Sequence, residues 1–370
     1  MAKKQTKQIE AALTASAPKR REVIPDSDLL KTGSTILDLA ISGRRAGGFA
    51  KGKYFWIVGD SSSGKTFLTL TCLAEASIDP AFANYRFIYD NGEDGALMDM
   101  AHYFGPNMAA RLEPPEVGGK GGEVHSDTIE DFYYHLDDAL AAGEPFIYIL
   151  DSMDSLDSTY SARKFSEAKT ASRKGTKAKG DYGDGKAKIN STRIRHVVRQ
   201  LRDTGSILIV LSQTRDNIDA GMFEEQQTHA GGRALKFYAT VQLWSSVGKR
   251  IKKTINEREV VVGVMCRVKT KKNRLTGRER MVEFPIYYDN GIDDIGGMID
   301  YLTTWKVWRK TGGKIDATKH FDEVVLRRAD LITWVEDNSM RADLEDICEQ
   351  AWQDIEDRLA TVRKSKYEVQ

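Results

Sequence analysis

The sequence has little that would brace a fold from outside. Its three cysteines, Cys72, Cys266 and Cys348, stand far apart and form no C-x-x-C pair. That pattern excludes a disulfide framework and a cysteine-based zinc site, and suits reduced thiols in a cytoplasm. Six histidines are scattered without metal-binding spacing. No apolar run approaches the ~18 residues of a membrane span. The opening MAKKQTKQIEAAL is too polar for a secretion signal. Charge of one sign is also missing: 55 Lys/Arg meet 54 Asp/Glu, so the net charge of +1 names no partner. There is no internal repeat. The 41% apolar and 29% charged content is ordinary for a soluble globular chain. The length of 370 residues allows one large domain and a smaller one.

What the chain does have centres on YFWIVGDSSSGKTFLTL, residues 54–70. Its first five residues are bulky and apolar, as in a buried strand. Gly59, Asp60, Ser61, Ser62, Ser63, Gly64, Lys65 and Thr66 then spell the phosphate-loop pattern G-x-x-x-x-G-K-T. Phe67, Leu68, Leu70, Leu73 and Ala74 follow at helical spacing. With Gly near 7% of residues, chance would produce the pattern in about one chain of this size in a hundred. The strand before it and the helix after it lower that figure. Glycines let the backbone curl its N–H groups inward, and the helix N-terminus adds positive potential for an anion. Lys65 would reach the β- and γ-phosphates of ATP, and the Thr66 hydroxyl would ligate Mg2+.

Residues 1–30 contain a short helix over 7–14 and a linker, with no core of their own; this segment can dock on a neighbour. Ser34 is placed to cap a helix over ILDLAI. Three more apolar runs read as strands: 85–90 (YRFIYD), 146–151 (FIYILD) and 207–213 (ILIVLSQ). A helix is expected over 128–142. Strands alternating with helices predict parallel βαβ units whose carboxyl-end loops carry the chemistry.

The strand ends carry acids and an amide. Asp151 has two readings, a Mg2+ carboxylate near Thr66 or a cap for the next segment. Glu93 is either a general base orienting water or one exposed acid among several in a turn. Two stretches break the even charge. Residues 163–188 hold nine Lys/Arg against three Asp/Glu, interrupted by glycines as in an open loop. Residues 249–280 hold twelve Lys/Arg against three Glu. Such runs suit a phosphate backbone or a solvated face, and two of them in a nucleotide-driven chain favour nucleic acid. Residues 336–357 hold nine acids and one Arg, with Leu344, Ile347, Cys348, Ala351, Trp352 and Ile355 at helical spacing. They read as one acidic amphipathic helix, which either competes with DNA for the basic surface or serves the fold.

The order of these pieces resembles the RecA/UvsX-like recombinase family from about residue 30 to 302. The most specific piece is LSQTRDNIDAGMFEEQQTHAGGRALKFYATVQLW, residues 211–244. It is similar to a family segment with a strand-end Gln, a DNA-binding loop containing Met-Phe, and G-G-x-A-L-K-F-Y-A-x-V. GDYGDG, 180–185, resembles the core of a first DNA loop, here preceded by about fifteen basic-rich residues that lengthen it. RVKTKKNR, 267–274, resembles the family's R-V-K-x-x-K-N-K. The resemblance puts Lys272 and Arg274 where two lysines reach a neighbour's γ-phosphate; Arg at 274 keeps the charge and changes the geometry. Tyr288 falls on a tyrosine that contacts the base. Counted back from Gly105, Glu93 falls on the catalytic glutamate; counted forward from Phe87 it lies late, which implies an insertion near Gly92. Leu97 and Met100 stand where bacterial relatives have an acid and a tyrosine for adenine.

The resemblance implies a RecA-like P-loop ATPase core over 31–297, α/β with a mostly parallel twisted sheet flanked by helices. A short N-terminal segment for oligomerisation over 1–30 precedes it, and a small α-rich C-terminal domain over 298–370 follows. It implies ATP and Mg2+ as ligands, with Lys65 on phosphate, Thr66 and Asp151 on the metal, Glu93 on water, Lys272 and Arg274 acting in trans, and Gln213 sensing the γ-phosphate. DNA would meet Gly180, Gly183, Lys186, Arg215, Met222, Phe223, Gly231, Gly232 and Arg233. The implied partners are single-stranded DNA, then homologous duplex, further copies of the chain in a helical filament, and single-strand-binding and loader proteins. The implied location is the cytoplasm, that of a host if a bacteriophage encodes the chain. A RecA-fold ring motor and a non-hydrolysing DNA-coating protein are the other classes; the GGRALKFYA string argues against the first, and intact Lys65, Thr66 and Asp151 against the second.

Overall fold

A computed structural model of the chain describes residues 24–119, 121–173, 185–216, 227–229 and 232–361. The short N-terminal helix expected over 7–14 lies outside them. Six strands form a parallel set: β1 (Tyr54–Gly59), β2 (Arg86–Asp90), β3 (Leu112–Glu113), β4 (Phe146–Leu150), β5 (Ile207–Asp216) and, after the short strand β6 (Gln227–His229), β7 (Val241–Ile255). Three more extend the sheet in antiparallel fashion: β8 (Arg258–Asn273), β9 (Met281–Tyr287) and β10 (Gly291–Ile292). The order across the sheet is β10-β9-β8-β7-β1-β5-β4-β2-β3, with β6 paired to β5. The phosphate-loop strand β1 therefore lies between β7 and β5.

The helices are α1 (Thr35–Ser42), α2 (Lys65–Ile78), α3 (Met100–Phe104), α4 (Pro106–Arg111), α5 (Ile129–Ala141), α6 (Thr159–Arg173), α7 (Gly185–Thr204), α8 (Arg233–Tyr238), α9 (Asp294–Thr304), α10 (Arg328–Asp337) and α11 (Arg341–Leu359). Strands read from unbroken apolar runs are buried on both faces, as parallel sheets require. Phe55 and Ile57 of β1 face one core with α1, α2 and α9. Tyr54, Trp56 and Val58 face a second core with α5, α7 and α8. Among the described residues no helix is long and apolar enough to cross a membrane.

Of two helix starts expected, one holds and one does not. Thr128 accepts from the Asp131 amide and Asp131 accepts in return from the Thr128 amide, a capping box that starts α5. Ser34 stands at the α1 cap position, but its buried hydroxyl has no hydrogen-bond partner. The carboxylate of Asp294 does the capping instead, accepting from the Thr35 amide at 2.7 Å and its hydroxyl at 2.9 Å.

One expectation needs correction. The basic stretch 163–188 is no open loop at its ends: 163–173 lie in α6 and 185–188 in α7. Arg163 and Glu167 pair one helical turn apart, at 3.0 Å, which supports α6. Most of the second basic stretch forms the β7–β8 hairpin, two strands of 15 and 16 residues. Asn256 and Glu257, with φ of 49° and 62°, make its turn. The acidic stretch opens on the last two residues of α10, and from Arg341 on it is the one amphipathic helix expected, α11. Ser339, at φ 56°, breaks the chain between α10 and α11. The apolar side of α11 (Leu344, Cys348, Ala351, Trp352) is buried in the same core as α1 and α9. A three-stranded antiparallel sheet, β11 (Arg309–Thr311), β12 (Lys314–Asp316) and β13 (Val325–Arg327), precedes these helices.

Candidate nucleotide and nucleic-acid sites

The chain leaves β1 at Gly59 and must turn sharply before α2 begins at Lys65. Ser62 and Gly64 have positive φ, 60° and 86°, which turns successive N–H groups inward as an anion site requires. A side chain at Gly59 would collide with Ser245 of β7, 2.2 Å from where its Cβ would stand. Ser63 Oγ and Ser245 Oγ are 2.8 Å apart, and the Cys266 thiol donates to the Ser63 carbonyl at 3.2 Å. The neighbouring strands thus brace the loop from behind.

A cavity of about 430 Å3 opens over the loop. Ser61, Ser62, Ser63, Gly64, Lys65 and Thr66 line it, together with Glu93, Asp151, Gln213 and Tyr288. The side chains singled out by their place after three different apolar runs converge here because parallel strands end at the same edge of the sheet. Thr66 Oγ1 donates to Asp151 Oδ2 at 2.6 Å, and the Tyr89 hydroxyl donates to the same oxygen at 3.0 Å. Burial pushes the Asp151 carboxyl above the usual range, against those hydrogen bonds and the Lys65 charge. The Lys65 amino group donates to the carbonyls of Gly59 at 2.9 Å and Asp60 at 2.8 Å. Burial lowers its pKa, opposed by the charges of Asp151, Glu93 and Asp60.

Glu93 enters the cavity through the Asn91–Gly92 turn, its amide donating to the Asp151 carbonyl at 3.0 Å. Its Oε1 accepts from Ser152 Oγ and, at 3.0 Å, from Gln213 Nε2. The Gln213 amide donates to Asp154 Oδ2 at 2.7 Å. Ser152 and Asp154 escaped the sequence reading; their places just after Asp151 were the available signal. The base end of the cavity also differs from expectation. Leu97 points to solvent, while Met98 and Tyr103 line the cavity. The Tyr103 hydroxyl donates to the Tyr288 carbonyl at 2.8 Å, and the Tyr288 side chain is 54% exposed.

Lys272 and Arg274 do not line this cavity. They cap the far end of α8. Lys272 Nζ donates to the carbonyls of Lys236 and Phe237 at 2.6 and 2.7 Å, and Arg274 donates to Phe237 at 2.8 Å. Burial, then the charges of Arg274 and Lys236, push Lys272 down to about 8. Of the DNA candidates, Lys186 sits in the first turn of α7, Arg215 on the last residues of β5, Gly232 caps α8 at φ 81°, and Arg233 is exposed at its start. Gly180, Gly183, Met222, Phe223 and Gly231 lie outside the described residues.

A phosphate loop between a parallel strand and a helix, facing an acid and an amide at neighbouring strand ends, defines a P-loop nucleotide-binding α/β protein. Comparison with known proteins narrows that class. The family model "RecA N-terminal domain" matches residues 170–293. Protein RecA of Colwellia psychrerythraea is 30% identical over 317 residues, 80% of this chain and 80% of its own length. Protein RecA of Cytophaga hutchinsonii is 28% identical, covering 79% of this chain and 73% of its own. That of Clostridioides difficile is 28% identical, covering 77% and 72%. The chain belongs to the RecA family.

Proposed function

We propose that the chain is an ATP-dependent DNA recombinase, which assembles as a helical filament on single-stranded DNA and promotes homologous pairing and strand exchange. The observation that carries the reading is the convergence of Lys65, Thr66, Asp151, Glu93 and Gln213 on one cavity at the carboxyl edge of the parallel sheet. The cavity fits ATP: Lys65 rests on two loop carbonyls, and phosphate oxygens are better acceptors for a cation. The donor set also fits Mg2+, since Thr66 and Asp151 present two hard oxygens 2.6 Å apart. When bound, Mg2+ neutralises phosphate charge.

The residues then divide the work. Lys65 and the amides of 60–66 hold the phosphates. Glu93 accepts a proton from the attacking water, its Oε1 held by Ser152 and Gln213. Gln213, bonded to Glu93 and followed in β5 by residues 214–216, links hydrolysis to DNA. Lys272 and Arg274 lie outside the subunit's own cavity, which supports service to a neighbouring copy. Contact through Gly180, Gly183, Lys186, Arg215, Met222, Phe223, Gly231, Gly232 and Arg233 is mainly to phosphate, so binding is salt-dependent and largely blind to sequence. Residues 1–30 serve oligomerisation, 31–297 are the ATPase core, and 298–370 are the C-terminal unit, with α9 spanning the junction. The setting is the cytoplasm, with homologous duplex, single-strand-binding and loader proteins as partners.

The test is ATP hydrolysis with and without single-stranded DNA, with the same samples imaged by negative-stain electron microscopy. Strong stimulation with open helical filaments is expected. Closed rings would turn the reading to a motor, and filaments without turnover to a coating protein.

A further inference from the structure

The β1–β5 ladder ends at the pair Gly59–Gln213, because there β1 turns into the phosphate loop. One contact carries on past the ladder. The Thr214 hydroxyl donates to Asp60 Oδ1. Asp60 is the only acid in the loop sequence GDSSSGKT, and its own carbonyl holds the Lys65 amino group at 2.8 Å. Thr214 in turn pairs across the ladder with His229, so it stands where the segment after β5 leaves and where it returns. Two neighbouring residues thus touch the loop's lysine on one side and both ends of 215–228 on the other.

We infer that Asp60 and Thr214 form a latch that transmits occupation of the phosphate loop to the segment beyond β5, with Thr214 as a positioning residue for the DNA stimulation of hydrolysis alone. The inference rests on the ATP and DNA assignments proposed above. Phosphates entering the loop draw Lys65 off the Asp60 carbonyl and set negative charge beside the Asp60 carboxylate. A hydroxyl donor then holds that carboxylate turned away, since charge-assisted hydrogen bonds are the strong ones. The nucleotide-bound loop therefore fixes Thr214, and with it the base of the segment. Without the hydroxyl the carboxylate is loose beside the anion and the segment no longer reports the nucleotide.

The experiment compares Thr214→Val, Thr214→Ser and Thr214→Val in an Asp60→Ala background with the unmodified chain. The readouts are kcat and KM for ATP with and without single-stranded DNA, and hydrogen exchange over 207–216 with a non-hydrolysable ATP analogue. Thr214→Val should leave DNA-independent kcat within about twofold and cut DNA stimulation about tenfold. It should also abolish the analogue's effect on exchange. Thr214→Ser should restore both, which a merely structural role would not require, and Thr214→Val should add nothing once Asp60 is Ala. Undiminished stimulation and intact nucleotide-dependent exchange in Thr214→Val would overturn the latch. If the unmodified chain binds the analogue but DNA does not stimulate it, the recombinase reading fails, and the exchange result alone decides the latch.

Discussion

The nucleotide cleft and the C-terminal unit both concentrate charge, and they treat it in opposite ways. In the cleft, polar groups hold one another by substitutable bonds: Lys65 on backbone carbonyls, Thr66 on Asp151, Gln213 on Glu93. In the C-terminal unit, acids are locked in multiple ion pairs. Glu345 meets Lys31, Arg45 and Arg341 at 3.2, 3.4 and 3.2 Å. Glu356 takes Arg280 at 2.5 Å and Arg278 at 2.7 Å, and Arg328 joins Asp293 and Asp300. The charges of the cleft are hydrogen-bonded to neutral groups, which phosphate and metal are proposed to displace. Charge that joins α11 to the core is fixed on both sides.

The comparison breaks first at Lys65. Lys65→Ala should leave the fold intact and lower ATP turnover by about a hundredfold or more, measured by steady-state hydrolysis. Normal turnover would remove the phosphate-loop assignment. The matching change on the other side is Trp352→Ala. Trp352 packs against Tyr301 at a centroid distance of 5.8 Å inside the core. Its loss should cost about 3–5 kcal/mol in denaturant unfolding while the cleft residues stay as they are. By the same reasoning, deleting 338–370 should destabilise the whole protein rather than simply expose DNA-binding surface. A truncated chain with unchanged unfolding and tighter DNA binding would restore the competing-helix reading.

Which parts of this contrast could be read from residues alone follows from how far each interaction reaches. The strands beginning at Arg86, Phe146 and Ile207 were legible because burial on both faces demands unbroken apolar runs. So was the phosphate loop, whose geometry is local. The β7–β8 hairpin was not, since nine cations within it hide the alternation of Val264, Cys266 and Val268. Nor was the α1 cap, because Asp294 lies 259 residues away. Acidic α11 reads as an amphipathic helix, but the partners of its charge, Arg278 and Arg280 in the basic stretch, show only when they are seen against Glu356. Opposite charges far apart in sequence proved to be partners.

A smaller effect sharpens the same contrast. Glu356 accepts two bonds from Arg280, at 2.5 and 2.6 Å, and its pKa is lowered first by that hydrogen bond. A depressed carboxyl stabilises the fold above its unfolded pKa of about 4.3, and the gain is lost as pH falls through the folded value. Glu356→Gln should therefore cost about 2 kcal/mol near neutrality and flatten the acid limb of the stability profile. An unchanged acid limb would mean that another carboxylate sets it.

The smallest expected effect belongs to Lys272, where the two regimes meet: a cation of the exchangeable kind that currently caps a helix. Its pKa falls from an ordinary 10.5 to about 8, chiefly through burial. Between those values the folded chain holds fewer protons than the unfolded one, so this group's contribution to stability rises with pH across that window. Lys272→Met should remove that rise, seen as a shallower gain in melting temperature from pH 8 to 10 than in the unmodified chain. The same titration strips the charge proposed to serve a neighbour's phosphate, so DNA-stimulated hydrolysis should fall above pH 8 while Lys272→Arg holds its level. Equal melting slopes in Lys272→Met and the unmodified chain would mean that burial beside Arg274 and Lys236 does not lower this lysine's pKa.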